Sequence, residues 1–206
     1  METKWASENL QVIRTLMERS ALYRRALAPI MTWAGCCGIV AAIIGNSAHL
    51  ESAQQFAIYW LAVSCVTSIG AFLLVRRQAL KDAEPFWSPP TRRVAQAALP
   101  AFFLGGVLSM LFVWQAGADT VQMTLPPIWM ALYGCALHAA GFFMQRGIRL
   151  LGWLFVITGS ALIYAIVGSD EDLTVSAHTL MGIAFGGFHL AYGIYLYLTE
   201  KRKNAA

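Results

Sequence analysis

The stretch Gln54-Gln55-Phe56-Ala57-Ile58-Tyr59-Trp60-Leu61-Ala62-Val63-Ser64-Cys65-Val66-Thr67-Ser68-Ile69-Gly70-Ala71-Phe72-Leu73-Leu74-Val75, closed at once by Arg76-Arg77, decides the fold class. It contains no Asp, Glu, Lys or Arg. Coiled as an α-helix at about 1.5 Å per residue it is about 33 Å long, the thickness of the hydrocarbon core of a bilayer. Five further runs of the same kind follow from the sequence: Pro29 to Gly45, Val94 to Trp114, Pro126 to Met144, Leu150 to Gly168 and Thr179 to Leu198. None contains Asp, Glu, Lys or Arg, and short charged segments separate them. The predicted fold is therefore all-α, a polytopic bundle of six transmembrane helices at residues 29–199. A cytoplasmic amphipathic helix at residues 1–28 precedes it and a basic tail at 200–206 follows.

Composition agrees. Of 206 residues, 58% are hydrophobic and 13% charged, and the mean hydropathy is +0.56, outside the habit of soluble domains. No cleavable leader is expected, because a long polar and basic stretch precedes the first apolar run, which then serves as its own insertion signal.

Orientation follows from the cations, since Lys and Arg stay on the cytoplasmic side. Lys4, Arg14, Arg19, Arg24 and Arg25 precede the first run, and Arg76, Arg77, Lys81, Arg92 and Arg93 lie between the second and third. Arg146 and Arg149 follow the fourth, and Lys201, Arg202 and Lys203 the sixth. These are all 15 Lys and Arg of the chain. The alternate segments hold only Glu51, Asp119, Asp170, Glu171 and Asp172. An even number of spans with both termini in the cytoplasm is the arrangement that keeps this separation. A pI near 9.0 is then a matter of topology and anionic headgroups, not of nucleic acid.

Ser7 is placed to cap a helix that carries Leu10, Ile13, Leu16, Met17 and Leu27 on one face and Gln11, Arg14, Glu18 and Arg25 on the other. With Arg19 and Arg24 it forms a basic amphipathic surface suited to a bilayer with anionic headgroups, which is the first expected partner. Docking to a cytoplasmic protein is the alternative. The loop Glu84-Pro85-Phe86-Trp87-Ser88-Pro89-Pro90-Thr91 reads as a rigid interfacial connector. Pro29, Pro100, Pro126 and Pro127 are expected in the first turns of spans. Cys36, Cys37, Cys65 and Cys135 are expected as small buried packing residues, with no disulfide framework.

The absence of Asp, Glu, Lys and Arg within the runs argues against proton-coupled carriers, pumps and voltage sensors. No HExxH, Walker A, GxGxxG or nucleophile triad is found, so no catalytic residue is assigned. Deep polar groups remain. His138 stands between Gly134 and Gly141 at helical spacing, and His189 between Gly182, Gly186 and Gly193. The first reading is close helix packing on the glycines, with Gly182 and Gly186 forming a GxxxG face that also offers an oligomer contact. No cofactor is then required. The alternative is a b-type haem held by His138 and His189 in an electron-transfer or quinone-linked subunit. A third reading, a facilitator for a small neutral solute, takes Ser64, Thr67, Ser68, Ser109, Thr158 and Ser160 as a path. Asp170, Glu171 and Asp172 before His178 read as solvated charge and not as a metal loop.

The segments Glu8-Asn9-Leu10-Gln11-Val12-Ile13-Arg14-Thr15-Leu16-Met17-Glu18-Arg19 and Phe188-His189-Leu190-Ala191-Tyr192-Gly193-Ile194-Tyr195-Leu196-Tyr197 resemble a group of uncharacterised bacterial membrane proteins. The resemblance implies a multi-pass protein of the bacterial inner membrane and brings no activity, substrate or site residue with it. The expected role is a non-enzymatic interaction, sensing or regulatory component.

Overall fold

In a computed structural model the described residues are 27–50, 52–81, 83, 87, 89–114, 120–168 and 175–204. The basic N-terminal helix expected before residue 27 and the acidic run 170–172 lie outside them. Every regular element among them is helical. Helix α1 covers Leu27–Ser47, α2 Ala53–Lys81, α3 Pro89–Trp114, α4 Thr120–Ala140 and α5 Arg146–Gly168. The last rod is built from α6 (Ala177–Met181), a π-helical segment (Gly182–Phe188) and α7 (His189–Asn204). Among the described residues five helices are long and apolar enough to cross a membrane: Leu27–Ser47, Ala53–Lys81, Thr91–Leu111, Arg146–Gly168 and Ala177–Thr199. The protein is thus an all-helical, multi-pass membrane protein, helices being the way a single chain satisfies its amides in lipid.

Local chemistry sets the helix ends. Ser52 and Gln55 form a capping box at the start of α2: the Gln55 amide donates to Ser52 Oγ at 3.1 Å, and the Ser52 amide donates to Gln55 Oε1 at 3.4 Å. Two otherwise orphaned donors are satisfied at once. Ser176 caps α6 in the same manner, its Oγ accepting from the Thr179 amide at 3.1 Å. Pro89 opens α3, where its missing donor costs nothing. Pro29 lies in the first turn of α1 as expected, whereas the other three prolines expected in first turns correct that expectation. Pro100 lies well inside α3, and Pro126 and Pro127 lie inside α4 because that helix already begins at Thr120. Proline fixes φ at a helical value, so a turn preceding it can be recruited into the helix at the loss of one backbone bond.

The bundle is held by two antiparallel seams lined with glycine. In the first, α1 runs against the last rod. A Cβ on Gly35 would lie 2.6 Å from the Leu190 amide nitrogen, one on Gly38 2.6 Å from that of Gly186, one on Gly182 2.5 Å from Ala42 Cβ, and one on Gly193 2.7 Å from Thr32 Oγ1. In the second, α4 runs against α5. A Cβ on Gly134 would lie 2.7 Å from the Gly152 carbonyl, one on Gly159 2.7 Å from the Pro127 carbonyl, and one on Gly141 2.5 Å from Arg149 Cγ. With lipid as apolar as the protein interior, such backbone approach replaces the hydrophobic effect as the source of cohesion. The Gly182 and Gly186 face is therefore filled by α1 of the same chain. Spacing marks a smooth face but does not say whose helix covers it.

Two apolar cores lie along these seams. One gathers Leu27, Met31, Met130, Ile148, Phe155 and Leu196; the other gathers Ala41, Phe56, Trp60, Leu125, Ala177 and Met181. Phe185 packs against both. Helices α2 and α3 flank this centre, tied to it by indole and phenol donors. Trp33 Nε1 on α1 donates to the Thr67 carbonyl of α2 at 3.1 Å, and Gly70 makes room for that indole. Tyr59 donates to the Ala41 carbonyl at 2.7 Å. Trp129 Nε1 on α4 donates to Ser109 Oγ of α3 at 2.9 Å. The cysteines depart from expectation: Cys36, Cys65 and Cys135 are exposed on helix surfaces and Cys37 is half-buried. A thiol is apolar enough to face lipid, so residence in an apolar run does not imply an inward side chain.

Candidate functional site

Three histidines carry the unusual chemistry of the bundle. His189, only 2% exposed, sits where the π-helical segment passes into α7. Its Nε2 is 2.7 Å from the hydroxyl of Tyr133 on α4. Around the pair stand Phe155 of α5, with its ring 5.4 Å from the imidazole and 5.1 Å from the phenol, and Phe185, stacked on the imidazole at 6.4 Å. Among the described residues His189 Nδ1 makes no hydrogen bond of good geometry. The π-helical stretch immediately before it is a wide-turned insertion of a kind often found at functional positions. It carries Gly182 and Gly186 against α1, while a Cβ on Gly187 would meet open space.

His178 occupies the N-terminal end of the same rod. Trp60 Nε1 donates to its Nδ1 at 3.1 Å, and its Nε2 faces the Leu50 carbonyl at 3.3 Å. An indole can only donate and a carbonyl can only accept, so the proton sits on Nε2 and the imidazole is neutral. Phe56 and Tyr59 close over the ring at 5.0 and 5.8 Å, and Gly45 leaves the space that the ring fills. Beside it Asn46 Nδ2 donates to Thr179 Oγ1 at 3.1 Å and Ser176 Oγ donates to Asn46 Oδ1 at 2.7 Å. This polar group joins the end of α1 to the start of α6, and both nitrogens of His178 are used.

His138 is different. Its ring meets Phe142 and Trp153 edge-on at 5.3 and 5.4 Å, and Nδ1 is sealed off without a partner. His138 and His189 do not contact one another and share no ring neighbour among the described residues. Tyr133, which bonds His189, is five residues before His138, so the two project from different faces of α4. The haem reading needs two imidazoles with free nitrogens turned toward one iron. Here one Nε2 is taken by a phenol and the other histidine stacks with a different set of rings.

The hydroxyls proposed as a solute path do not converge. Ser64 and Thr158 donate to the carbonyls of Leu61 and Leu154 on their own helices, and Ser109 to that of Gly105. Ser64 and Ser160 are exposed on the outside of the bundle. Of the residues that sequence reasoning did not single out, Tyr133 and Trp60 matter most. A phenol or indole in an apolar run carries no local sign of the imidazole it will meet. Gly35, Gly38 and Gly45 could have been found, since together with Ala41 and Ala42 they make a strip of small residues along α1.

No protein family, curated protein or solved structure matches this chain.

Proposed function

We propose that the chain crosses the bacterial inner membrane six times, with both termini in the cytoplasm, and acts as a non-enzymatic interaction, sensing or regulatory component. In this reading α4 is the sixth span. Its 21 residues contain no charged side chain, and placing it across the bilayer keeps all basic segments on one side. Residues 1–28, with Arg14, Arg19, Arg24 and Arg25, then lie on the cytoplasmic leaflet as a basic amphipathic helix.

The observation that carries the role is how the interior polar groups are spent. His178 with Trp60, His189 with Tyr133, and Ser109 with Trp129 pair across helices inside the bundle. Such clips support a rigid scaffold, and what a scaffold offers is its surface. Helices α2 and α3 turn Ile69, Phe72, Phe102 and Phe103 outward.

The test places a photo-crosslinking amino acid at Ile69 or Phe103 in native membranes. A discrete protein adduct that depends on the position is expected. Adducts to lipid alone at both positions, from a correctly folded bundle, would overturn the interaction role.

A further inference from the structure

We propose that the turn joining α4 to α5 forms a binding site for a single anionic glycerophospholipid, built on Arg149, Arg146, His138, Phe142 and Trp153. The proposal rests on the six-span orientation, which puts this turn at the cytoplasmic leaflet.

Arg149 is held in place before any ligand arrives. Its stem lies on the bare backbone of Gly141, where a Cβ would come within 2.5 Å of Arg149 Cγ. Its guanidinium carbon stands 5.2 Å from the centroid of the Phe142 ring. Arg146 is exposed one turn away. No Asp or Glu occurs between Thr120 and Gly168, so neither helix of the hairpin can neutralise these two cations. A preordered guanidinium fork beside a second cation suits a phosphodiester, and the doubled positive charge selects a headgroup of net negative charge.

The apolar part of the site points the same way. His138 stands in the last turn of α4, four residues before Phe142 in the turn that follows it, and Trp153 is one turn after Arg149 on α5. Because the helices are antiparallel, both lie about 6 Å deeper in the membrane than the arginine. Phe142 is 64% and Trp153 52% exposed. The imidazole between them has its Nδ1 buried without a hydrogen-bond partner among the described residues. A polar nitrogen left unpaired in an apolar setting is costly. The ester carbonyls of a glycerolipid, which lie just below its phosphate, would come level with this imidazole, with an acyl chain running along Trp153.

The test uses the full-length protein in detergent, titrated with phosphatidylglycerol or phosphatidylcholine, with retained lipid counted by native mass spectrometry. Selective retention of phosphatidylglycerol is expected. Arg149→Gln should weaken it about fivefold, the usual contribution of one basic residue at an anionic surface. Arg149→Lys should recover part of that, and Arg92→Gln, outside the site, should leave it unchanged. Inorganic phosphate should not displace the lipid, because the acyl contact along Trp153 is part of the site. Equal retention of both lipids, an equal effect of Arg92→Gln and Arg149→Gln, or displacement by phosphate would overturn the site. Sidedness is read separately: a Gln145→Cys variant should react with an impermeant maleimide only from the cytoplasmic side. Labelling from outside would overturn the six-span orientation, while the detergent titration would still decide whether the site exists.

Discussion

A side chain on Gly38 would begin 2.6 Å from the backbone nitrogen of Gly186, so at this point α1 and the π-helical segment touch backbone to backbone. Neither partner is the movable end of a side chain. Gly38→Ala and Gly186→Leu should therefore each destabilise the bundle, by about 1–3 kcal/mol or more for the larger residue. Gly106→Ala and Gly187→Ala, whose added methyls meet nothing within 4 Å, should be neutral or stabilising by up to about 1 kcal/mol. Unfolding in mixed micelles measures all four. Equal losses at Gly38 and Gly106 would remove the seam from the account.

The histidines should rank differently from the glycines. Tyr133→Phe removes one intramembrane hydrogen bond and should cost about 0.6 kcal/mol, with about 1.7 as the upper bound. His138→Ala, which removes a ring whose Nδ1 has no partner among the described residues, should cost less than His189→Ala. Gly186→Leu should exceed all of them. An absorption spectrum of protein made with haem available should show no stoichiometric Soret band. A b-type spectrum lost in both His138→Ala and His189→Ala would restore the electron-transfer reading.

The π-helical segment makes a deletion experiment informative. A π segment contains one residue more than the α-helix it interrupts. Deleting Gly187 should let Gly182–Phe188 close into α geometry while Gly182 and Gly193 keep their places against α1. The melting temperature should fall by only a few degrees, about 1 kcal/mol for a chain of this size. Deleting Leu154 from the regular helix α5 should rotate Phe155 and Gly159 away from α4 and prevent folding. Similar losses from the two deletions would mean that the extra residue is not accommodated by the π turn.

Topology can be read with fusions. Reporters after Lys203, near Lys81 and at Met144 should be cytoplasmic, and those near Asp119 and Asp170 external. The pair at Asp119 and Met144 brackets α4. Both on one side would mean that α4 does not cross, and an external signal at Lys203 would defeat the even count.

The surface role of the N-terminal helix has its own measurement. Changing Arg14 and Arg25 together to Glu should weaken binding of the isolated peptide, residues 1–28, to anionic vesicles, since headgroup attraction becomes repulsion. Unchanged binding would favour docking to a protein.

From its sequence alone the chain is legible as a multi-pass helical membrane protein, because hydropathy and charge act locally. A run such as Gln54 to Val75 has to leave water wherever its neighbours go, and Arg76-Arg77 resists translocation by its own charge. The capping box of Ser52 and Gln55 is equally local. What the tertiary structure alone decided is which face of each helix meets protein. In lipid, inward and outward faces are both apolar, so hydropathy does not distinguish the exposed Cys65 from the buried Phe56. Glycine spacing revealed smooth faces at Gly134, Gly141, Gly182, Gly186 and Gly193, but not that Gly186 would meet Gly38 or Gly134 meet Gly152. The pairing of His189 with Tyr133, instead of with His138, rests on contacts between helices 56 residues apart in the chain. No periodicity within one helix encodes such a contact, because it depends on how two rods are rotated about their own axes when they pack.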